Sequence, residues 1–240
     1  MARLRTLTPV LLVRAGHPRL ALVTALGLAG AAALSGRSTG AVAAVVATVL
    51  TGQVILGWHN DLVDRTRDAS HARSDKPLAQ QLGGRLDPGT VWFWLAVAVM
   101  LVVPLAVFHG VWSGLAYLGS LLVGILGNVL LRGGWLSWLP WALSYALYPA
   151  FLAYGGWAGQ GRETPPEVSV TALAALLGVC VHVLVALPGL VADRQDGRRH
   201  LPLRVALRAG APRVLWVTLV LTGLVLTALL LTGARVGLTR

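Results

Sequence analysis

The chain has 240 residues, of which 56% are hydrophobic and only 12% are charged, and its mean hydropathy is +0.71. Soluble domains carry about 25% charged residues, so this composition excludes an ordinary soluble globular protein. The single cysteine excludes a disulfide framework and a cysteine-based metal cluster. A transmembrane helix needs about 20 mostly apolar residues. Several such runs are present, and the sequence therefore predicts an all-α polytopic transmembrane bundle.

Seven apolar runs predict seven membrane-spanning helices in a single transmembrane domain that comprises residues 1–240. None of the runs shows the strict alternation that is typical of a transmembrane β-strand. Small residues are frequent within them, which suits close packing between helices. The predicted spans are residues 18–36, 40–58, 90–108, 111–131, 135–156, 168–190 and 213–233.

The distribution of charge predicts the orientation. The net charge is +11, and the charged residues lie between the apolar runs. This pattern favours membrane lipid over nucleic acid as the partner. If the N-terminus is cytoplasmic, 16 of the 20 Lys and Arg residues lie inside and 4 lie outside. The positive-inside rule therefore predicts a cytoplasmic N-terminus. The expected location is a multi-pass integral membrane protein, in the cell membrane if the source is prokaryotic.

A first acidic cluster directly follows the second predicted span. If this span continues as a helix, Asp64 and Asp68 lie about 60° and about 20° from Asp61 around the helix axis, so the three carboxylates share one face. Three carboxylates on one face repel each other unless a cation binds, and Mg²⁺ prefers carboxylate oxygens together with substrate phosphates. The alternative is a solvated helix end that Arg65 and Arg67 balance.

Two further groups point to a diphosphate. Arg73 and Lys76 follow the first cluster and suit a diphosphate with its Mg²⁺, although an ordinary positive-inside loop has the same composition. A second acidic cluster, Asp193 and Asp196, follows the sixth span on the same predicted side. Two such clusters suggest a site for metal-assisted ionisation of a diphosphate whose lipid tail lies among apolar helices.

At these positions the chain resembles the UbiA-type intramembrane prenyltransferases. The run Asn-Asp-x-x-Asp-x-x-x-Asp over 60–68 resembles the first aspartate motif of that family, and 73–79 resembles the conserved stretch after it. Residues 128–132 and 136–140 resemble the fourth and fifth helices of the family, and 187–202 resembles the second aspartate motif.

The resemblance implies a Mg²⁺-dependent transfer of a prenyl group from a polyprenyl diphosphate to a small acceptor, which in this family is often aromatic. It also implies a role for each matching residue. The implied catalytic residues, which would also be the metal ligands, are Asp61, Asp64, Asp68 and Asp193. The implied substrate-binding residues are Asn60, Arg73, Lys76, Arg132 and Asp196.

Three features depart from the family pattern. Gly189 stands where the second motif usually has an Asp, and Asp196 is the candidate to replace that carboxylate. Gly127 stands where a Tyr often precedes Asn128. The family usually has nine helices, two more than predicted here. Two alternatives therefore stay open: a UbiA-type terpene cyclase, and a degenerate homologue that binds a lipid diphosphate or a partner without turnover.

The histidines give weaker signals. His182 lies in the middle of the sixth span, where a polar residue is either functional or bonded to a neighbouring helix. His17 and His200 lie near span ends and give no functional signal.

Overall fold

The computed structural model of the chain describes residues 7–71, 76–79, 86–155 and 165–236. These residues contain helices and no β-strand, so the all-α prediction is confirmed for the part of the chain that is described. They divide into two compact units, Met1–Phe108 and His109–Arg240. One domain over residues 1–240 stays a prediction.

In the first unit, α2 and α4 both pack against α3, and the short α1 contacts α2 and α3. The axes of α1 and α2 bend by 62° at Gly16 and His17. The side chain of Ser38 accepts a hydrogen bond from the Ala41 N–H (3.3 Å) and begins α3 as its N-cap. The helices are α1 (Thr8–Ala15), α2 (Pro18–Leu34), α3 (Thr39–Ser70) and α4 (Pro88–Phe108).

The length of α3 places the first acidic cluster. Its 32 residues rise about 48 Å at 1.5 Å per residue, and the hydrocarbon core of a bilayer is about 30 Å thick. The last turns, which carry Asp61, Asp64 and Asp68, therefore extend beyond the apolar part of the helix. The predicted continuation of the second span as a helix is confirmed.

A close approach holds the corner between α1 and α2 against α3. A Cβ atom on Gly57 would lie 2.7 Å from the carbonyl carbon and oxygen of Gly16, so only glycine fits there without a shift. One residue further on, the Trp58 Nε1–H donates to the Leu12 carbonyl at 2.8 Å. His17 adopts a left-handed conformation (φ 51°) to turn the chain into α2. Asp61 lies one turn of α3 after Gly57, so these contacts bring His17 beside Asp61.

In the second unit, α6 packs between α5 and α7, and α10 packs against α7 and α9. A π-helical turn, Gly127–Leu131, follows α5, and 3₁₀ turns at Trp135–Trp138 and Leu187–Gly189 precede α6 and α8. The helices are α5 (Val111–Leu126), α6 (Leu139–Ala153), α7 (Val168–Ala186), α8 (Leu190–Gln195), α9 (Leu201–Ala209) and α10 (Ala211–Val236).

Two glycines of this unit mark backbone approaches. A Cβ atom on Gly178 of α7 would lie 2.3 Å from the Trp141 carbonyl oxygen of α6. A Cβ atom on Gly127 would lie 2.4 Å from Cβ of Pro140. The second contact gives a physical reason for one departure from the family pattern, because a tyrosine at position 127 would overlap the start of α6.

Five helices of the described chain are long and apolar enough to cross a membrane, and the bent pair α1–α2 would make six. The span predicted at 135–156 instead contains a 3₁₀ turn and the 15-residue α6. On α4, and on α10 between Arg213 and Arg235, the exposed large side chains are apolar, as lipid contact requires. The count of seven spans and the cytoplasmic N-terminus stay predictions.

Candidate active site

The last turns of α3 bury three carboxylates on one face. Asp61, Asp64 and Asp68 are 1%, 5% and 4% exposed, whereas Val63 between them is exposed. A buried carboxylate is costly unless cations or hydrogen-bond donors neutralise it. This face is therefore arranged to receive positive charge, and a merely solvated helix end does not describe it.

Asp61 meets two donors on one of its two oxygens. The Lys76 Nζ lies 2.5 Å from Oδ1, and the His17 Nε2 lies 2.8 Å from the same atom. Lys76 is held in place because the Pro77, Leu78 and Ala79 that follow it are buried.

The protonation of His17 follows from this geometry. A lysine ammonium has donors and no acceptor, so Lys76 donates to Oδ1. A ring nitrogen 2.8 Å from the same carboxylate oxygen makes a favourable contact only as an N–H donor. His17 therefore carries its proton on Nε2 and donates it to Asp61. The 3.1 Å separation of Lys76 Nζ and His17 Nε2 results from two donors that meet on one oxygen.

The second oxygen of Asp61 fits a metal ion. Oδ2 is buried and has no hydrogen-bond partner among the described residues. Such an oxygen loses its hydration without compensation, and a hard cation is the ligand that restores it. Asp64 and Asp68 supply further carboxylates on the same face, so the chemistry of the donors suits Mg²⁺. In the described ranges no three His, Cys, Asp or Glu side chains stand close enough to bind one ion together. Binding of one ion by all three carboxylates would therefore require rotation of these side chains.

The second acidic cluster lies in the other unit, where α7 passes through a 3₁₀ turn into α8. Asp193 is buried, and its Oδ1 accepts a hydrogen bond from Arg198 Nη1 at 3.3 Å. Its Oδ2 lies 2.9 Å from His200 Nε2. The Leu203 N–H donates to His200 Nδ1 at 3.2 Å, so Nδ1 is an acceptor and Nε2 carries the proton that is donated to Asp193.

Gly189 and Asp196 are the two residues that concern the carboxylate that the second motif usually has at position 189. A Cβ atom on Gly189 would lie 3.4 Å from Asp193 Oδ2. A side chain at 189 would therefore point into the surroundings of Asp193. Asp196 is exposed at the end of α8, whereas Asp193 is buried.

The remaining predicted site residues belong to different elements. Asn60 is half-buried on α3, and Arg132 is half-buried directly after the π-helical turn. The loop after Arg132 is joined to the start of α9, because the Arg199 N–H donates to the Gly133 carbonyl at 2.9 Å. Arg73 lies outside the described residues.

His182 is part of the packing of the second unit. Its Nε2 lies 3.1 Å from Ser137 Oγ, and this hydroxyl also accepts a hydrogen bond from the Leu201 N–H at 3.3 Å. The imidazole stacks on Trp141 with a centroid distance of 5.6 Å. His182 thus joins α7, α6 and the start of α9, and of the two roles considered for it the structural one is favoured.

Sequence reasoning missed His17 and His200, which make the shortest contacts to Asp61 and Asp193 after Lys76. A signal exists for both of them. Each is followed within two residues by a proline at the first turn of a helix, and this pattern places the histidine at the N-cap, where its side chain can turn toward a neighbouring helix end.

The comparison with protein families identifies the class. The model of the UbiA prenyltransferase family matches residues 20–239. This match covers most of the chain, so the chain belongs to the UbiA prenyltransferase family. No curated protein matches the chain.

Solved structures of UbiA homologues from Archaeoglobus fulgidus share the fold. The homologue bound to GPP and Mg²⁺ is 18% identical with a TM-score of 0.68, and the match covers 91% of this chain and 76% of that one. The structure bound to DMAPP and Mg²⁺ is 20% identical with a TM-score of 0.66, and the match covers 90% of this chain and 75% of that one. The structure bound to Cd²⁺ is 16% identical with a TM-score of 0.68, and the match covers 95% of this chain and 81% of that one. At these identities the likeness shows the fold.

Proposed function

We propose that the protein transfers a prenyl group from a polyprenyl diphosphate to a small acceptor, which we expect to be aromatic, within the membrane and with the help of Mg²⁺. The observation that carries the proposal is the buried, unsatisfied Oδ2 of Asp61, on a face of α3 with two more buried carboxylates, in a chain of this family. The solved homologues with GPP or DMAPP and Mg²⁺ support the choice of donor and metal.

Each residue of the first cluster has a role in this proposal. Asp61, Asp64 and Asp68 would hold Mg²⁺, with Asn60 beside them. When bound, Mg²⁺ neutralises the charge that develops on a departing diphosphate. Lys76, whose ammonium already lies at Asp61, and Arg73 would donate hydrogen bonds to the diphosphate oxygens.

The transfer itself needs a dry site. The bond between the prenyl C1 and the diphosphate oxygen breaks, and the diphosphate leaves with the electron pair. The acceptor forms the new bond to C1 and then loses a proton. Water would compete for the allylic cation, so the site must exclude it. We propose that the apolar helices of the bundle exclude water from the prenyl chain.

We further propose that the protein is a multi-pass membrane protein with a cytoplasmic N-terminus, as the distribution of 16 inside and 4 outside basic residues predicts. The acidic end of α3 then lies on the cytoplasmic side. A polyprenyl diphosphate whose headgroup faces the cytoplasm can reach it while its tail stays in the bilayer.

Turnover of the purified protein tests the function. Prenyl diphosphates of several lengths are incubated with Mg²⁺ and a panel of aromatic acceptors, with and without EDTA. We expect a prenylated acceptor that forms only with Mg²⁺. A cyclic hydrocarbon formed without an acceptor would establish the terpene cyclase alternative, and the absence of any product would favour the degenerate homologue.

A matched pair of variants ties the activity to the acidic face. Asp61→Asn keeps the shape of the side chain and removes its charge, and we expect turnover to fall at least 100-fold, as when a group that stabilises transition-state charge is lost. Asp87→Asn is the control, because Asp87 caps α4 through the Thr90 N–H (2.8 Å) and lies outside the site. Equal activity of both variants would refute the assignment of Asp61.

A further inference from the structure

The second acidic cluster differs from the first in that both oxygens of its buried carboxylate, Asp193, already accept hydrogen bonds from the protein. Both oxygens of Asp193 accept hydrogen bonds from its own segment, from Arg198 (3.3 Å) and from His200 (2.9 Å). At Asp61, by contrast, both donors share one oxygen, and the other is left without a partner among the described residues.

The donor pair at Asp193 is fixed by the fold. His200 is 3% exposed and caps α9 through the Leu203 N–H, which fixes its tautomer with the proton facing Asp193. The Arg198 N–H also donates to the Asp193 carbonyl at 2.9 Å, so backbone and side chain together hold Arg198 beside this residue. A metal ion on Asp193 would have to share these two oxygens with the donors that already occupy them.

Within its own segment, residues 187–203, Asp193 is the only buried carboxylate. Gly189, whose Cβ position faces Asp193 Oδ2 at 3.4 Å, has no ligand atom in its side chain. Asp196 is exposed at the end of α8. Mg²⁺ needs oxygen ligands in near-octahedral geometry and is usually held by one or two carboxylates together with phosphates.

The charge of the segment 189–200 leads to the same conclusion. It contains Arg194, Arg198 and Arg199 against Asp193 and Asp196, and is therefore net positive with its histidine neutral. An Asp at 189 would have made it neutral. The loss of that carboxylate thus leaves an excess cation where the family pattern has a metal-binding motif.

We infer that this helix end binds no metal ion, that the protein takes up a single Mg²⁺ at the acidic face of α3, and that Arg198, held by Asp193, keeps at this helix end a positive charge that can bind an anionic ligand. The inference rests on the proposed function. A guanidinium suits this role because it stays charged and binds phosphate oxygens through two parallel hydrogen bonds. The side chain of Arg198 is 20% exposed, so part of it is accessible to a ligand.

Counting bound ions tests the inference without any turnover. Purified protein is titrated with Mn²⁺ in the presence of a non-hydrolysable prenyl thiodiphosphate, and the free ion is measured by electron paramagnetic resonance. We expect one ion per chain in the wild type, one in Asp193→Asn, and none in Asp61→Asn. Asp193→Asn removes the charge and keeps one acceptor oxygen for two donors, so its thermal unfolding midpoint is measured beside that of the wild type.

The affinity for the thiodiphosphate tests the role of Arg198. We expect Arg198→Gln to weaken binding about tenfold or more, as for a lost hydrogen bond to a charged group. Arg198→Lys, which keeps the charge, should recover part of the loss. Arg194→Gln is the matched control, since Arg194 is an exposed arginine of the same segment, and it should bind like the wild type.

The outcomes separate the inference from the proposed function. Two ions in the wild type, of which Asp193→Asn loses one, would overturn the inference and leave the proposed function standing. No bound ion in the wild type would overturn both. Equal weakening by Arg198→Gln and Arg194→Gln would overturn the role of Arg198, because it would show a general effect of charge. Two double variants give a further test, Gly189→Asp with Arg198→Gln and Gly189→Asn with Arg198→Gln. A second bound ion in the first double variant but not in the second would support the inference.

Discussion

Gly57→Ala adds a single uncharged methyl group one helical turn before Asp61, and we expect it to impair the active site. The new Cβ would lie 2.7 Å from the carbonyl of Gly16. Ordinary contacts of a Cβ atom begin at about 3.4 Å, so α3 and the corner before α2 must separate by roughly 0.7 Å. Both sides of the contact are backbone, and no side-chain rotation can relieve the overlap.

The effect reaches Asp61 through His17, which follows Gly16 directly. Its Nε2 lies 2.8 Å from Oδ1, and a shift of about 0.7 Å lengthens this contact to a distance at which a hydrogen bond no longer forms. Misplacement of a site by about 1 Å can cost on the order of 100-fold in rate. We therefore expect turnover to fall roughly 10- to 100-fold in Gly57→Ala.

Gly27→Ala provides the matched control, because position 27 lies within α2 and a Cβ atom there meets nothing within 4 Å. It should gain about 1 kcal/mol of helix stability and keep full activity. Turnover, the Mn²⁺ affinity and the thermal unfolding midpoint in detergent are measured for both variants. If Gly57→Ala is as active as Gly27→Ala and binds Mn²⁺ equally well, the corner does not position Asp61.

Two further predictions concern packing and orientation. Gly127→Ala should lower the thermal unfolding midpoint, because its Cβ would lie 2.4 Å from Pro140, whereas Gly133→Ala, with nothing within 4 Å, should not; equal midpoints would show that the contact is easily relieved. In a cysteine-free background, Asp196→Cys should resist an impermeant thiol reagent added to intact cells and Glu167→Cys should react. The reverse pattern would invert the topology.

The helices were largely predictable from the sequence, since an apolar run of about 20 residues matches the thickness of a bilayer and is uncommon outside membrane-spanning helices. The continuation of α3 through Asp68 was predictable for a further reason: only a helix brings three acids at this spacing to one face. The predicted span at 168–190 was correct in position, but α7 ends at Ala186, because Pro188 lacks the N–H that a continuing helix needs.

The contacts of the acidic residues were not predictable in the same way. The partner of Asp61 lies 44 residues earlier in the chain, and its position depends on a left-handed residue and on two glycines that meet backbone to backbone. No local preference encodes such an approach. At Asp193 the partners are close in sequence, and the sequence suggested a metal ligand there, whereas the local fold provides Arg198 and His200 as internal donors.

The 32-residue length of α3 has a consequence for how a donor reaches the protein. If the apolar turns up to Trp58 fill the hydrocarbon layer, Asp61 lies about 5 Å beyond its edge and Asp68 about 15 Å beyond it, at the depth of lipid headgroups. A long-chain donor can then diffuse laterally within one leaflet and bind while its phosphates stay at the depth of the lipid headgroups, outside the hydrocarbon layer. Delivery from the bilayer thus adds no desolvation barrier that grows with tail length, and any preference for tail length must arise from the apolar interior.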